Sequence, residues 1–317
     1  MQPAQSASRR TARPAIIGRW GLACAITGVV LSIDAVWLAV GGWSVSGLGL
    51  AVLALGVTGC LAPLAIGRYR RDPRIAATMP FCVLLLVFQA AAATLSYLVV
   101  STNAALVDAP LAAWDRALGF DWLSLHAWLQ DHALAQSVLG AAYASGLLQM
   151  VFVVVFLGLT GRREALEEFM LLLIGATLLT IVASGVLPAA GAWKHYAVAG
   201  SFDLSSLSHF EPLRDGSLRE IALEKMQGLI SIPSLHAAMA VLLVHAVRTS
   251  RVVLPVFGAL DLAMLASTPI AGGHYLVDVL AGVALALALI AFSRRRATRP
   301  HDATRAAPIA NLGALHQ

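Results

Sequence analysis

The sequence predicts an all-α protein, a polytopic membrane helical bundle of about eight transmembrane helices. Three observations predict it. Charged residues make up 12% of the 317-residue chain and hydrophobic residues 59%, with a mean hydropathy of +0.78, roughly half the charged fraction of a soluble domain. Apolar runs of about 20 residues, the length that crosses a hydrocarbon core as a helix, recur between short charged loops. Apolar and polar residues do not alternate within those runs, which excludes the period-two pattern of a membrane β-barrel.

The chain opens with a basic tail, residues 1–19, carrying Arg9, Arg10, Arg13 and Arg19. The apolar run that follows is too long for a signal peptide and has no small-residue cleavage site, so it is expected to remain as the first span. The spans fall at 20–40, 45–66, 76–100, 135–159, 169–187, 232–247, 252–270 and 274–292. Between the third and fourth, segment 101–134 is too polar to cross, but Leu111, Trp114 and Leu118, then Trp122, Leu125, Trp128 and Leu129, recur at helical spacing with acids between them. It reads either as interfacial helices anchored by Trp114, Trp122 and Trp128 or as a cap packed on the bundle. Cys24, Cys60 and Cys82 fall inside apolar runs, without the spacing of a metal or redox motif, and read as packing residues.

The net charge is +5, with a pI near 9.5, yet the basic residues sit in the loops that set topology, and no nucleic-acid partner is expected. Seventeen of the 22 lysines and arginines lie in the two tails and in alternate loops; Arg116, Lys194, Arg214, Arg219 and Lys225 lie on the other side. Cytoplasmic loops retain positive charge. An even number of spans then places both termini in the cytoplasm and segments 101–134 and 188–231 on the outer face, the periplasmic face of a bacterial inner membrane.

Two stretches gather ionisable residues at helix starts on that outer side: SIPSLHAAMA, residues 231–240, and GGHYLVDVLAG, residues 272–282. Pro233 suits a helix start, where a missing amide hydrogen costs nothing. Ser234 and the first backbone N–H groups there favour a phosphate. His274 and Asp278, four residues apart, fall on one face of the last helix, so the carboxylate holds one ring nitrogen and leaves the other as a nucleophile toward phosphorus. His236, from another helix at the same depth, is placed to protonate a leaving oxygen and later to deprotonate an acceptor. Either histidine alone reads as an interhelical hydrogen-bond partner. An intramembrane aspartate with a partner one turn away reads as functional.

PSLH followed by GGHYLVDVLAG resembles the histidine motifs of the type 2 phosphatidic acid phosphatase superfamily, particularly the branch of inositol phosphorylceramide synthase, the aureobasidin-resistance protein with its inositolphosphotransferase domain. The resemblance implies a six-helix catalytic membrane domain over 76–292, with the two helices of 20–66 as an addition; the charge pattern makes 293–317 a cytoplasmic tail, expected to be disordered. It implies that His236 is the acid/base, that His274 is the nucleophile forming a phosphohistidine, and that Asp278 holds it. Neither a metal nor any other cofactor is implied. The chain lacks the Lys-x6-Arg-Pro first motif of the phosphatases and has Thr268 where they carry an arginine six residues before the last histidine, departures shared in part by the synthase-like branch.

A transferring phosphoryl group needs positive charge near it. Lys194, Arg214, Arg219 and Lys225 are the outer-face candidates for phosphate or substrate binding, and Trp193, Tyr196, Phe202 and Phe210 are candidates to shape a head-group pocket. Asp34, Asp261, Gln89, Gln149 and His245 read as interhelical bonding groups, with Asp261 and Gln149 also candidates to support the site. The function expected is metal-independent lipid phosphotransfer or phosphatase activity: a membrane phospholipid or lipid phosphate donates, and water or an alcohol, such as a polyol or a sphingolipid, accepts. A proton-coupled transporter built around Asp34 and Asp261 is the rival, weakened because the polar cluster sits at one face rather than at the midplane. A non-catalytic scaffold would leave the histidines and Asp278 unexplained.

Overall fold

The computed structural model describes residues 18–198 and 205–297. The basic stretches 1–17 and 298–317, and Phe202, lie outside them. Among the described residues the chain is an all-α polytopic membrane bundle. Its helices are α1 (Arg19–Gly41), α2 (Gly47–Ala65), α3 (Gly67–Arg70), α4 (Pro73–Val100), α5 (Asp108–Ala117), α6 (Trp122–Gln130) and α7 (Ala133–Ala144), followed by α8 (Gly146–Leu159), α9 (Arg163–Val186), α10 (Ala192–His195), α11 (Ser205–Arg214), α12 (Leu235–Val247), α13 (Val253–Ala271) and α14 (Leu276–Ala297). Short polar caps start several of them. Asp72 accepts from Arg74 N and Ile75 N with Pro73 in the first turn, and Asp121 accepts from Ser124 N.

Each expected span is met by helix, with three corrections. The run at 135–159 is two helices, α7 and α8, bent by 44°. The break falls at the pair Ser145-Gly146, a common cause of a kink, and the Ser145 hydroxyl donates to Ala142 O at 2.6 Å. The run at 232–247 yields a helix of only 13 residues, α12, about 20 Å long against a hydrocarbon core of about 30 Å. Its first residues, through Ser234, are not helical. Among the described residues six helices are long and apolar enough to cross a membrane, and the bent pair makes seven; α12 is the shortfall from eight. His274, finally, lies two residues ahead of α14 rather than on it.

The core is centred on α4, α9 and α12, with α8, α13 and α14 around α12, while α1 packs on α4 and α9 and α2 packs on α4. Outward-facing side chains such as Leu50, Leu55, Val182 and Leu262 are exposed, as lipid-facing positions should be. Two sets of contacts show which loops share a face. In the α1–α2 connection, β1 (Ser44–Val45) pairs in parallel with β2 (Glu220–Ile221), and the Ser46 hydroxyl donates to Glu224 at 2.9 Å. At the other end Arg248 donates to Glu168 at 2.8 Å, Arg162 donates to Thr249 at 2.9 Å, and Ser293 also reaches Glu168. The loops therefore alternate between a basic face and an opposite face.

On that opposite face α5, α6 and α10 form a cap with its own apolar cluster, which includes Leu111, Trp122, Trp193 and Tyr275. Trp122 is 1% exposed and its indole N–H donates to Pro269 O at 3.0 Å. It is thus a core residue of the cap rather than an interfacial anchor, because the inward side of α6 carries it onto α13. Trp114 and Trp128 do point outward.

Candidate functional site

The starts of α12 and α14 meet beneath the cap. Gly282, at the end of the GGHYLVDVLAG stretch, makes the approach possible: a Cβ there would lie 2.2 Å from Ser234 O and 3.1 Å from Ala237 Cβ. The backbone N–H of Ser234 also donates to Asp278 O at 3.0 Å. Ahead of α14, Gly273 holds φ +64° with the Trp193 ring 3.2 Å from where a Cβ would be, a left-handed turn that turns the chain into His274.

Asp278 is fully buried and His274 nearly so. His274 Nδ1 lies 3.4 Å from Asp278 Oδ2, which also accepts from the Ser231 hydroxyl at 2.6 Å and from Tyr275 N at 3.1 Å. The last of these is half of a capping box, a third-position carboxylate reaching back to the N-cap amide. His274 Nδ1 and Asp278 Oδ1 have no hydrogen-bond partner. The contact is therefore poised rather than closed, as is common in an unliganded site. The other nitrogen, Nε2, faces the Ser234 hydroxyl at 3.4 Å, and Ser234 caps α12 by accepting from Ala237 N at 3.3 Å. His236 sits in the first turn of α12, its ring stacked on Tyr143 at a centroid distance of 4.0 Å. The Tyr143 hydroxyl and the His274 ring flank the same side of Gly272. Ser234, His236, His274 and Asp278 are thus gathered in one place.

Two residues outside the two motif stretches, Asp115 and Asp108, and Ser231 at the start of the first stretch hold this arrangement. Asp115, 1% exposed on α5, accepts from Leu276 N at 2.9 Å and Val277 N at 3.0 Å, taking up two of the amides that a helix start leaves unpaired. Burial, ahead of those two bonds, pushes its carboxyl above the usual aspartate range. Asp108, one heptad earlier on the same buried face, accepts from Ala190 N, Gly191 N and the Tyr275 hydroxyl at 2.9–3.0 Å. Ser231 anchors Asp278. The pattern carried a signal for the two acids: they fall in register with the buried stripe through Leu111, where a carboxylate is not expected without a partner.

The cationic candidates separate. Lys194 pairs with Glu211 and lies over the Phe210 ring at 5.0 Å. Arg214 lies over the same ring at 5.4 Å and donates to Ala104 O. Phe210 borders a small polar cavity with Gly191, Trp193, Ser231 and Gly273, and the indole N–H of Trp193 is buried without a hydrogen-bond partner. Arg219 instead covers Trp43 and donates to Gly216 O, so it belongs to the edge near β1. Lys225 is exposed in the 188–231 segment. Thr268 is fully buried and its hydroxyl donates to Met264 O at 2.7 Å, so that position brings no charge to the site. Tyr196 stacks on Trp122 in the cap. His245 joins Glu168 at 3.5 Å on the basic face. Gln149 sits beside Asp261 and donates to Ser145 at 3.0 Å, while both carboxylate oxygens of Asp34 are buried without hydrogen-bond partners.

Fold and site together define a helical membrane protein whose histidine–aspartate pair faces a second histidine where two helices start. The family model of the PAP2 superfamily matches residues 109–292, more than half of the chain. The chain belongs to the PAP2 superfamily, a group of membrane phosphatases and phosphotransferases. No curated protein and no solved structure matches it.

Proposed function

We propose that this chain is a lipid phosphotransferase that works through a phosphohistidine on His274. The observation that carries the reading is the division of the His274 ring: Nδ1 is turned to Asp278, and Nε2 is turned to Ser234 and the start of α12, with His236 two residues further on. With Nδ1 protonated and held by the carboxylate, the Nε2 lone pair attacks phosphorus and the bond to the leaving oxygen breaks. His236 supplies that oxygen with a proton. Water or an alcohol then gives its proton to His236 and attacks the phosphohistidine, the phosphorus–nitrogen bond breaks, and His274 is restored. The amides at the start of α12 favour the phosphoryl oxygens, and Lys194 and Arg214 lie over Phe210, which borders the cavity that Ser231 and Gly273 also line.

The absence of the phosphatases' arginine at Thr268 and the resemblance to the inositol phosphorylceramide branch support an alcohol acceptor, such as a polyol or a sphingolipid; water is the alternative. The charge pattern supports a site on the periplasmic face of a bacterial inner membrane with both termini in the cytoplasm. Family membership supports phosphotransfer over the transport and scaffold readings.

The test is to reconstitute the protein in liposomes with labelled phospholipid and lipid-phosphate donors, with and without alcohol acceptors, beside His274→Ala. Wild type should yield an acid-labile phosphoenzyme and labelled product, and the variant neither. Full turnover by His274→Ala would remove the nucleophile from the mechanism.

A further inference from the structure

A cavity of about 570 Å³, within the size range of small-molecule sites, has His236 in its wall. Small residues line it on both sides of the α2–α4 contact, Gly56 on α2 and Ala90 and Ala93 on α4, while Gly49 on α2 lets Leu223 and Glu224 approach closely. The rest of the lining is mainly aliphatic, supplied by α2, α4, α8, α9, α12 and the 223–226 segment, with Gln89 and Glu224, the latter bonded by the Ser46 hydroxyl, as further polar members. One polar group in it has no structural use. Thr177 on α9 is 4% exposed, and its hydroxyl has no hydrogen-bond partner, whereas Thr78 and Thr94 on α4 donate to the carbonyl four residues back. The level of Thr177 follows from the Glu168–Arg248 bond that aligns α9 with α12. Thr177 is nine residues above Glu168 and His236 twelve above Arg248, so Thr177 lies about 4.5 Å deeper than the histidine.

We propose that this cavity holds one hydrocarbon chain of a lipid whose phosphate-bearing head lies at His236 and His274, with the Thr177 hydroxyl bonded to the polar linkage between head and chain. Phosphate at the histidines places an ester, amide or hydroxyl linkage one step deeper, at the level of Thr177, and leaves only hydrocarbon for the apolar walls beyond. α2 and α4 both lie outside the matched residues 109–292, so chain selection falls to helices that precede the family's matched region. The identity of the head rests on the phosphotransfer reading; the cavity and its apolar lining do not.

The experiment is photolabelling of the full chain in liposomes by a long-chain lipid phosphate carrying a diazirine in its chain, with the labelled residues located by mass spectrometry. Label is expected on the facing sides of α2 and α4 and near Thr177. Gly56→Leu and Ala93→Leu should each lower it about tenfold. Thr177→Val should reduce the preference for a lipid with a hydrogen-bonding linkage over a plain alkyl phosphate about fivefold. Wild-type label confined to outward positions such as Leu50 and Leu55 overturns the proposal, and the wild-type map decides this even where a variant does not fold. Turnover measured in parallel separates the two readings. Label in the cavity without phosphate transfer supports the chain site and removes the chemistry, and transfer with label elsewhere does the reverse.

Discussion

Replacing Gly282 by alanine adds one methyl group where the two motif helices touch. That carbon would sit 2.2 Å from Ser234 O and 3.2 Å from Ala238 N, and since a carbon and an oxygen rest at about 3.3 Å or more, α12 and α14 must part by about 1 Å. Neither partner is a flexible side-chain end that can swing away. Overpacking of this kind costs about 1–3 kcal/mol, enough to lower thermal stability without preventing folding. The larger effect falls on chemistry, because Ser234 and His236 ride on α12 whereas Asp278 rides on α14, and a misplacement of about 1 Å can cost about 100-fold in rate. Phosphate transfer by Gly282→Ala in liposomes should therefore drop about 100-fold while the protein still inserts and stays folded. Activity within twofold of wild type, at unchanged thermal stability, would refute the idea that this helix contact sets the site.

Three further outcomes follow from the same geometry. His236→Ala should slow transfer from a lipid donor by about 10²–10⁴-fold, the usual contribution of a general acid, but much less for an aryl phosphate whose leaving oxygen needs no proton; equal losses on both donors would remove His236 from that role. Asp115→Ala should leave Leu276 N and Val277 N without acceptors and cost about 1–3 kcal/mol each if they stay dry, seen as a lowered melting temperature. Because burial raises the Asp115 carboxyl from its ordinary value of 3.8, its tighter hold on a proton in the fold contributes stability that is complete below that value and is lost as pH rises through the folded one; the variant should lack that slope. Lys194→Gln and Arg214→Gln should each raise KM for an anionic donor about tenfold, whereas Arg219→Gln should not, and an equal effect of all three would argue for a diffuse surface field instead.

Much of the bundle was legible because the bilayer demands long apolar helices and the loops carry its charge code. The spans at 20–40 and 76–100 needed nothing more. The short α12 was not legible, since SIPSLH is apolar enough to extend the hydropathy of the helix behind it although its first residues are non-helical. The spacing predicts that His274 and Asp278 lie close together, and they do, yet the helix that justified the spacing starts after the histidine; Asp278 is instead held near it by capping Tyr275 and accepting from Ser231. Asp108 and Asp115 were visible only as acids in an amphipathic segment. What they bind lies about 80 and 160 residues away in sequence, and no local pattern reports such a distance. Tyr143 was hidden for the opposite reason, as one aromatic residue in an apolar run.

The brevity of α12 bears on how a reactant reaches the histidines. Lifting a lipid out of a bilayer costs about 0.8 kcal/mol for each methylene brought into water, so a site standing clear of the membrane would work against most of the chain's affinity for its own leaflet. Here Arg248 ends the short helix beside Glu168, and His236 stands twelve residues, about 18 Å, above that basic layer, within a hydrocarbon thickness of about 30 Å. The chain of a reacting lipid can stay in an oily medium throughout. On the proposed reading with water or a small polyol as acceptor, it is that partner which must cross the polar boundary, and the cap of α5, α6 and α10 stands on that route.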